Sequence, residues 1–472
     1  MAHYDVVVLG CGPAGERAAI QASRAGRKVA VVERYRLVGG NRVNWGTIPS
    51  KSLRESAVFF YQLTRGRLHG IRYEVSSELT VADFMQRERV VVKRELELIG
   101  DSLGRYAVDV IEGHARFAGP KAVAVRPSDG SELRTLTADY FVIATGSRPN
   151  RPDDVPFDGE TVFDSETILQ LPRIPKTMTV LGAGVVGIEY ASIFAALGIA
   201  VTLVDTRDRL LPYFDREIVA TLVRELGELG VSLLHDDRYL RITRLPGTPP
   251  RVACETKAGR RLESDVILYC VGRDGNTDDV GLGTLGITPG KYGLLEVNEH
   301  YQTVHPHIYA VGDVIGYPAL ASTSMEQGRQ AMRHALKIPG PRGRTDTLPF
   351  AVYSIPEVAY VGATEESLVE KKVDYVSGRG DYSKNPRAQI LGDSDGLVKL
   401  LFEWPSLELK GAHIVGTSAS ELVHIGEAFL HERSTATEIA ETIYNYPTLS
   451  DMYRHAAVKA LGEDRKRREK RS

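Results

Sequence analysis

The chain has 472 residues, 43% hydrophobic and 25% charged, with a formal net charge of −2. That is the balance of a soluble globular protein with room for about two to four domains, and so small a net charge argues against a nucleic-acid binder that relies on whole-protein charge. The cysteines Cys11, Cys254 and Cys270 form no CxxC or CxxxxC pair, which argues against a disulfide framework or a zinc site and fits a reducing, cytoplasmic compartment.

The amino-terminal MAHYDVVVLGCG lacks the basic segment of a secretion signal. Residues 4–33 run from an apolar stretch, Val6 to Leu9, through Gly10-Cys11-Gly12-Pro13-Ala14-Gly15 into a helical pattern of alanines. A second apolar strand then ends on Glu33. Strand, GxGxxG turn, helix, strand and acid make a dinucleotide-binding unit. Gly10 makes the tight turn, Gly12 lets the backbone reach a pyrophosphate, Gly15 packs helix on strand, and the acid binds ribose hydroxyls. The next notable stretch is GGNRVNWGTIPSK, Gly39 to Lys51. It pairs glycines suited to close ligand approach with a proline suited to a first helical turn, and carries no thiol.

Tyr140 to Gly146 reads as a buried strand leaving the first domain, followed by the Pro-rich PNRPDDVPF. From Met178 to Val204 the chain is nearly all apolar. Glu189 in its middle and the glycine spacing predict a buried strand, helix and strand instead of a membrane span. This stretch repeats the first unit, with Gly182, Gly184, Gly187 and Asp205. The spacing Gly10 to Glu33 is 23 positions, and so is Gly182 to Asp205. Two matched units predict two bound dinucleotides. Val266 to Arg273 closes the second unit, and Ile308 to Asp313 is a strand ending in Gly-Asp with a helix expected from about Thr323. The pair His305 and His307 has no further ligands around it and reads as a surface turn. Past the linker IPGPRGRTD, Ile338 to Asp346, strands and helices predict a third, α+β domain. The tail EDRKRREKRS reads as a frayed, solvated end.

Together VVVLGCGPAG with Glu33, GGNRVNWGTIPSK, ATGSRP, VLGAGVVGIEYAS, VGRDGNTD, YAVGDVIG, and YSIPEVAYVG with NYPTLSD resemble the two-dinucleotide flavoprotein disulfide reductases across essentially the whole chain. The resemblance implies an α/β fold of two Rossmann-like domains, for FAD and for NAD(P), plus a C-terminal α+β dimerisation domain. Its expected boundaries are 1–150, 151–275, a return to the FAD domain over 276–345, and 346–472. Implied FAD contacts are Gly10, Gly12, Gly15, Glu33, Arg34, Gly39, Gly40, Asn41, Arg42, Lys51, His114, Ala115, Thr145, Gly146, Leu320, Ala321 and Asp313, the last holding the ribityl chain. Implied nicotinamide-nucleotide contacts are Gly182, Gly184, Gly187, Glu189, Asp205, Arg207 and Gly272. Lys51 is expected beside flavin N5, paired with Glu189.

Two departures redirect the expected activity. Arg42 and Thr47 stand where the disulfide enzymes carry their redox cysteines, and Tyr446 and Asp451 where they carry a His and a Glu. Neither arginine nor threonine shuttles electrons to a disulfide, and a tyrosine is a poor thiol base near neutral pH. WGTIPSK, NYP, DRLL, GDVIGYPALAS and HIGEAF instead resemble the soluble FAD-containing pyridine nucleotide transhydrogenases, although that branch usually keeps one cysteine where Arg42 stands. The implied activity is hydride transfer between NADPH and NAD through flavin N5, with Lys51, Glu189 and Thr47 at the reacting centre, in a homodimer or a higher homo-oligomer free of nucleic acid and membrane. Alternatives are an NAD(P)H:quinone or diaphorase-type reductase and, more distantly, a nucleotide-binding flavoprotein for assembly or sensing. Arg207 is a candidate reader of the NADP 2′-phosphate, while Asp205 favours the NAD 2′-hydroxyl.

Overall fold

A computed structural model describes residues 2–65, 80–340 and 347–471. The apolar run near the amino terminus becomes strand Ala2–Leu9 in the interior of a seven-stranded sheet. It pairs in parallel with Val29–Glu33 on one side and Arg134–Ile143 on the other. Val6, Val7 and Val8 have no exposed surface, as expected of a β-branched strand covered on both faces. Helix Pro13–Arg24 follows, with proline in its first turn and its alanines buried. Strand Ile308–Ala310 returns to pair with Arg134–Ile143, so the Gly-Asp segment rejoins the first sheet from the far side of the second unit. Helix Ala321–Ala335 then lies against the first-unit helix. A Cβ on Gly328 would sit 2.1 Å from the Ala14 carbonyl oxygen, so a glycine is what permits this approach.

The apolar stretch from Met178 folds as expected, into strand Thr177–Leu181, helix Val185–Ala196 and strand Ala200–Val204. The helix is buried nearly all round because its sheet lies on one side and other helices on the other. The strands belong to a five-stranded parallel sheet that also holds Val231–Leu234, Val266–Tyr269 and Val162–Asp164. Among the described residues no helix is long and apolar enough to cross a membrane. The chain leaves and re-enters the first unit through the antiparallel pair Ser147–Pro149 and Arg273–Gly275. A three-stranded antiparallel sheet, Tyr239–Leu245, Arg251–Thr256 and Arg261–Ser264, carries the excursion between the last strands of the second unit.

The C-terminal part is a five-stranded antiparallel sheet, Phe350–Val352 and Val358–Gly362 followed in space by Leu409–Val415, Leu397–Glu403 and Tyr375–Asp381. Helices Ala419–His431 and Met452–Glu469 pack on it. The linker residues 341–346, and with them the expected boundary at 345/346, lie outside the described residues. A cluster of ions joins this sheet to the second unit. The Lys399 ammonium, fully buried, lies 2.9 Å from Asp215, 3.0 Å from Glu217 and 2.8 Å from Glu365, and Arg379 pairs with Glu217.

One expectation fails at the carboxyl end. The basic tail is not frayed: helix Met452–Glu469 runs through it. Arg467 and Arg471 stand over the Trp404 ring at 4.5 and 4.3 Å, Trp404 Nε1 donates to Asp464, and Arg468 pairs with the same carboxylate. Cation–π contact and i,i+4 pairing hold a charge block that looks featureless in isolation. The two histidines of the His-Pro-His turn are bonded to backbone carbonyls, His305 to Leu285 and His307 to Pro120.

Candidate functional site

The two glycine turns are copies in geometry as well as in sequence. Gly10 and Gly182 have φ of +99° and +95°, a region open to glycine. A Cβ on Gly15 would lie 2.0 Å from the Gly10 oxygen, and one on Gly187 1.9 Å from the Gly182 oxygen. The acid closing each unit accepts from the amide inside its own turn: Glu33 Oε2 from Cys11 N at 2.7 Å, Asp205 Oδ2 from Ala183 N at 2.9 Å. Each carboxylate therefore ties the tip of the second strand to the phosphate turn.

The units differ in what else holds the acid. Glu33 Oε1 accepts from the Tyr35 amide, and the Arg34 guanidinium lies instead over the Tyr35 ring, 4.8 Å from its centroid. Burial raises the Glu33 carboxyl above its ordinary value, against the lowering by these amides. Asp205 carries a guanidinium: Arg207 Nε and Nη2 donate to its two oxygens at 3.0 and 2.6 Å, the Arg207 amide donates at 2.9 Å, and Nη2 also donates to the Ala183 carbonyl. Burial alone would raise the Asp205 carboxyl, but the bonds from Arg207 hold it below the usual carboxylate range.

A cavity of about 1280 Å³ runs from the first glycine turn to the boundary of all three parts of the chain. Its walls include Gly10, Gly12, Glu33, Arg34, Gly40, Asn41, Arg42, Thr47, Lys51, His114, Ala115, Thr145, Gly146, Glu189, Asp313, Leu320 and Ala321, residues scattered over the sequence and expected together. Gly15 and Gly39 are not part of the lining. Gly182, Gly184, Gly187, Asp205, Arg207 and Gly272 are also not part of this lining; the residues by which the second unit enters the cavity include Asp164, Glu166, Val185, Val186, Glu189 and Tyr190.

Helix Thr47–Arg65 begins at the cavity and has Pro49 in its first turn. From it Lys51 Nζ reaches Glu189 Oε2 at 2.6 Å, and Glu189 Oε1 accepts from the Tyr353 amide at 2.9 Å. The Lys51 ammonium is also 4.8 Å from the centre of the Tyr353 ring. Glu189 is 5% exposed, and with these partners its carboxylate is compensated as a buried charge must be. Arg42, read from the sequence as a departure from the redox-cysteine pattern, pairs with buried Glu16 at 3.1 Å. Asp313 Oδ2 accepts from Ser147 Oγ at 2.8 Å, and Arg273 donates to the same hydroxyl at 2.9 Å while lying 3.6 Å from Glu166.

The cavity wall holds buried polar atoms that no group among the described residues satisfies: Asn41 Oδ1, Arg42 Nε and Thr145 Oγ1, with Asn44 Oδ1 close by in sequence. Such atoms are costly unless a ligand or water meets them. Orphaned donors and acceptors, a glycine turn at a helix N-terminus and an acid at the ribose position fit a bound dinucleotide. Thiol chemistry has no seat here. Burial pushes the Cys11 thiol up to about 12 and that of Cys254 to about 11, and it raises Cys270 further. Asp451 is buried and paired with Arg454 at 2.7 Å and His455 at 3.3 Å on its own helix, while Tyr446 is 69% exposed.

Sequence reasoning missed Tyr353, Ser147, Arg273 and Glu166. Arg273 lies inside VGRDGNTD and had a signal; the Tyr353 contact is a backbone amide, which side-chain patterns do not reveal.

Residues 4–328 match the family model described as pyridine nucleotide-disulphide oxidoreductase, and residues 348–457 match the dimerisation domain of the same family. The chain belongs to that family. It is similar to proteins named soluble pyridine nucleotide transhydrogenase: 43% identical over 98% of both chains in Mycobacterium tuberculosis, 41% in Chromohalobacter salexigens and 40% in Vibrio parahaemolyticus, each of these two over 97% of this chain and 98% of the other. Among solved structures it is similar to LpdA from Mycobacterium tuberculosis, with a TM-score of 0.88 and 28% identity over 97% of this chain and 99% of that one. The HOCl-induced flavoprotein disulfide reductase RclA from Escherichia coli is similar with a TM-score of 0.85 and 25% identity, over 96% and 99% of the two chains. This family member carries an arginine and a threonine where its family's name leads one to expect a thiol pair.

Proposed function

We propose that the chain is a flavin-dependent NAD(P) transhydrogenase that moves hydride between NADPH and NAD in alternating half-reactions. The observation that carries this is the full-length similarity to transhydrogenases in a chain with Arg42 and Thr47 at the thiol positions. FAD, when bound, supplies a two-electron station that accepts and returns hydride. The first unit holds it through the Gly10 turn, Glu33, the orphaned atoms of Asn41, Arg42 and Thr145, and Asp313, which Ser147 fixes in place.

Lys51 and Glu189 are the residues we assign to the reacting centre. Their pairing spans the first and second units and is braced by the Tyr353 amide, so it holds a fixed charge pair where nicotinamide and flavin must meet. A preset geometry of this kind lowers the reorganisation needed for hydride transfer. Thr47, on the same helix start, shapes the wall with a hydroxyl instead of a thiol. We assign residues 1–150 and 276–345 to the FAD domain, 151–275 to the nicotinamide domain and 346–472 to dimerisation, in a cytoplasmic homodimer.

The test is anaerobic titration with NADPH. Reduction completes at about one NADPH per flavin, as expected when the cofactor alone stores electrons, and no thiolate-to-flavin absorption appears. Uptake of a second equivalent would reveal a hidden dithiol and end this proposal.

A further inference from the structure

In the second unit the acid that ends the Gly182 motif, Asp205, is paired with Arg207. A carboxylate has about four acceptor positions on its two oxygens. Asp205 has all of them engaged: Oδ1 accepts from the Arg207 amide and Nε, Oδ2 from the Ala183 amide and Arg207 Nη2. A ribose 2′-hydroxyl arriving there finds no lone pair to use. The matching acid of the first unit accepts from the amides of Cys11 and Tyr35 and carries no such guanidinium. The same fold within one chain thus shows an acid open to ribose and an acid closed to it.

The closing group is itself suited to a phosphate. Arg207 uses Nε and both hydrogens of Nη2 on Asp205 and the Ala183 carbonyl. Its Nη1 makes no hydrogen bond among the described residues, and the side chain is 39% exposed. The turn that carries it is fixed further on, where Arg209 lies 3.5 Å from Glu366 and Asp215 is locked to Lys399. A guanidinium so placed offers a free edge to a phosphate without moving, in a form that is always charged.

Resting on the transhydrogenase reading above, we propose that Arg207 acts as a lock on Asp205. Docked, it withholds the carboxylate from the 2′-hydroxyl of NAD and presents its outer edge to the 2′-phosphate of NADP. The resting protein therefore binds NADP(H) more tightly than NAD(H), and NAD binds without help from the acid. Removing the arginine opens the acid, so the nucleotide that lacks the phosphate gains.

Calorimetric titration of the flavin-loaded full chain with NADP+ and with NAD+ tests this without relying on turnover. For the wild type, NADP+ is expected to bind about tenfold tighter or more, the scale of one charge-assisted contact. Arg207→Ala should weaken NADP+ by about tenfold and tighten NAD+ by about threefold, crossing the two affinities over. Asp205→Asn keeps Arg207 but removes the acid, and NAD+ affinity should then change by less than about threefold. Flavin content and melting temperature verify that each variant is folded. If Arg207→Ala weakens both nucleotides equally, or Asp205→Asn costs NAD+ tenfold, the lock is wrong while the second unit remains a nicotinamide site. If the wild type binds neither nucleotide, the transhydrogenase reading falls, and the lock with it.

Discussion

Lys51 Nζ lies 2.6 Å from Glu189 Oε2, joining residues 138 positions apart and two separate dinucleotide-binding units. The contact needs both units folded and docked, because Lys51 comes from helix Thr47–Arg65 beside the first unit and Glu189 from helix Val185–Ala196 after the second glycine turn. Lys51→Met strands a carboxylate that is 5% exposed, with the Tyr353 amide as the hydrogen-bond donor left to it among the described residues. We expect a loss of about 3 kcal/mol in urea unfolding and at least a tenfold slower reduction of the flavin by NADPH in stopped flow. Unchanged rates with lowered stability would make the pair structural alone.

Asp313 is expected to govern flavin retention. Asp313→Ala removes a charge-assisted hydrogen bond worth about 1.5–3 kcal/mol, so flavin affinity should fall by about ten- to a hundredfold. Equilibrium dialysis followed by absorbance of the retained flavin checks it; full retention would remove Asp313 from the site.

The ion cluster around Lys399 sets the pH dependence of stability. Burial by itself would raise the Asp215 carboxyl, yet His413, Lys399 and the Glu217 amide bring it below its ordinary value, and Arg379 and Lys399 do the same for Glu217. Depressed carboxylates contribute stability that is present above the ordinary carboxylate pKa of about 4 and lost as pH falls through the lower folded value. Burial also depresses His413, which faces Asp215, Lys399 and Glu366. It resists protonation in the fold but not in the unfolded chain, so stability starts to fall below about pH 6.5. Melting temperature should therefore decline from about pH 6.5 and drop steeply below about pH 4. Lys399→Met, which takes the ammonium from Asp215, Glu217 and Glu365 and leaves Glu217 its Arg379 partner, should cost about 3–5 kcal/mol at neutral pH. A melting curve flat down to pH 4 would contradict the assignment.

The thiols should be inert. Burial pushes Cys11 up to about 12 and Cys254 up to about 11, so a thiol reagent at neutral pH should label the native chain far more slowly than the unfolded one. Rapid labelling of one cysteine in the native protein would overturn this.

The two dinucleotide units were legible because their chemistry is local: a tight turn, a close backbone approach and an acid 23 positions on leave a spaced signature. Lys51 and Glu189 were legible through the motifs around them, and the structure brings them into contact as expected. The Lys399 cluster was not legible, since its carboxylates come from the second unit and a distant helix, and no local spacing marks a contact across 184 positions. The docking of Arg207 on Asp205 was half legible: the residues were singled out, but whether an arginine swings free or lies on its neighbour depends on the turn's backbone. The basic tail misled because helix and solvated coil look alike in a charge block until Trp404, some 60 positions earlier, is placed beside it.

The most direct measurement is a steady-state assay of the purified yellow protein with NADPH as donor and an NAD analogue, menadione or lipoamide as acceptor. Fast reduction of the NAD analogue, with slow reduction of menadione and none of lipoamide, is the predicted result. Efficient lipoamide reduction, or menadione turnover far above that of the NAD analogue, would contradict it.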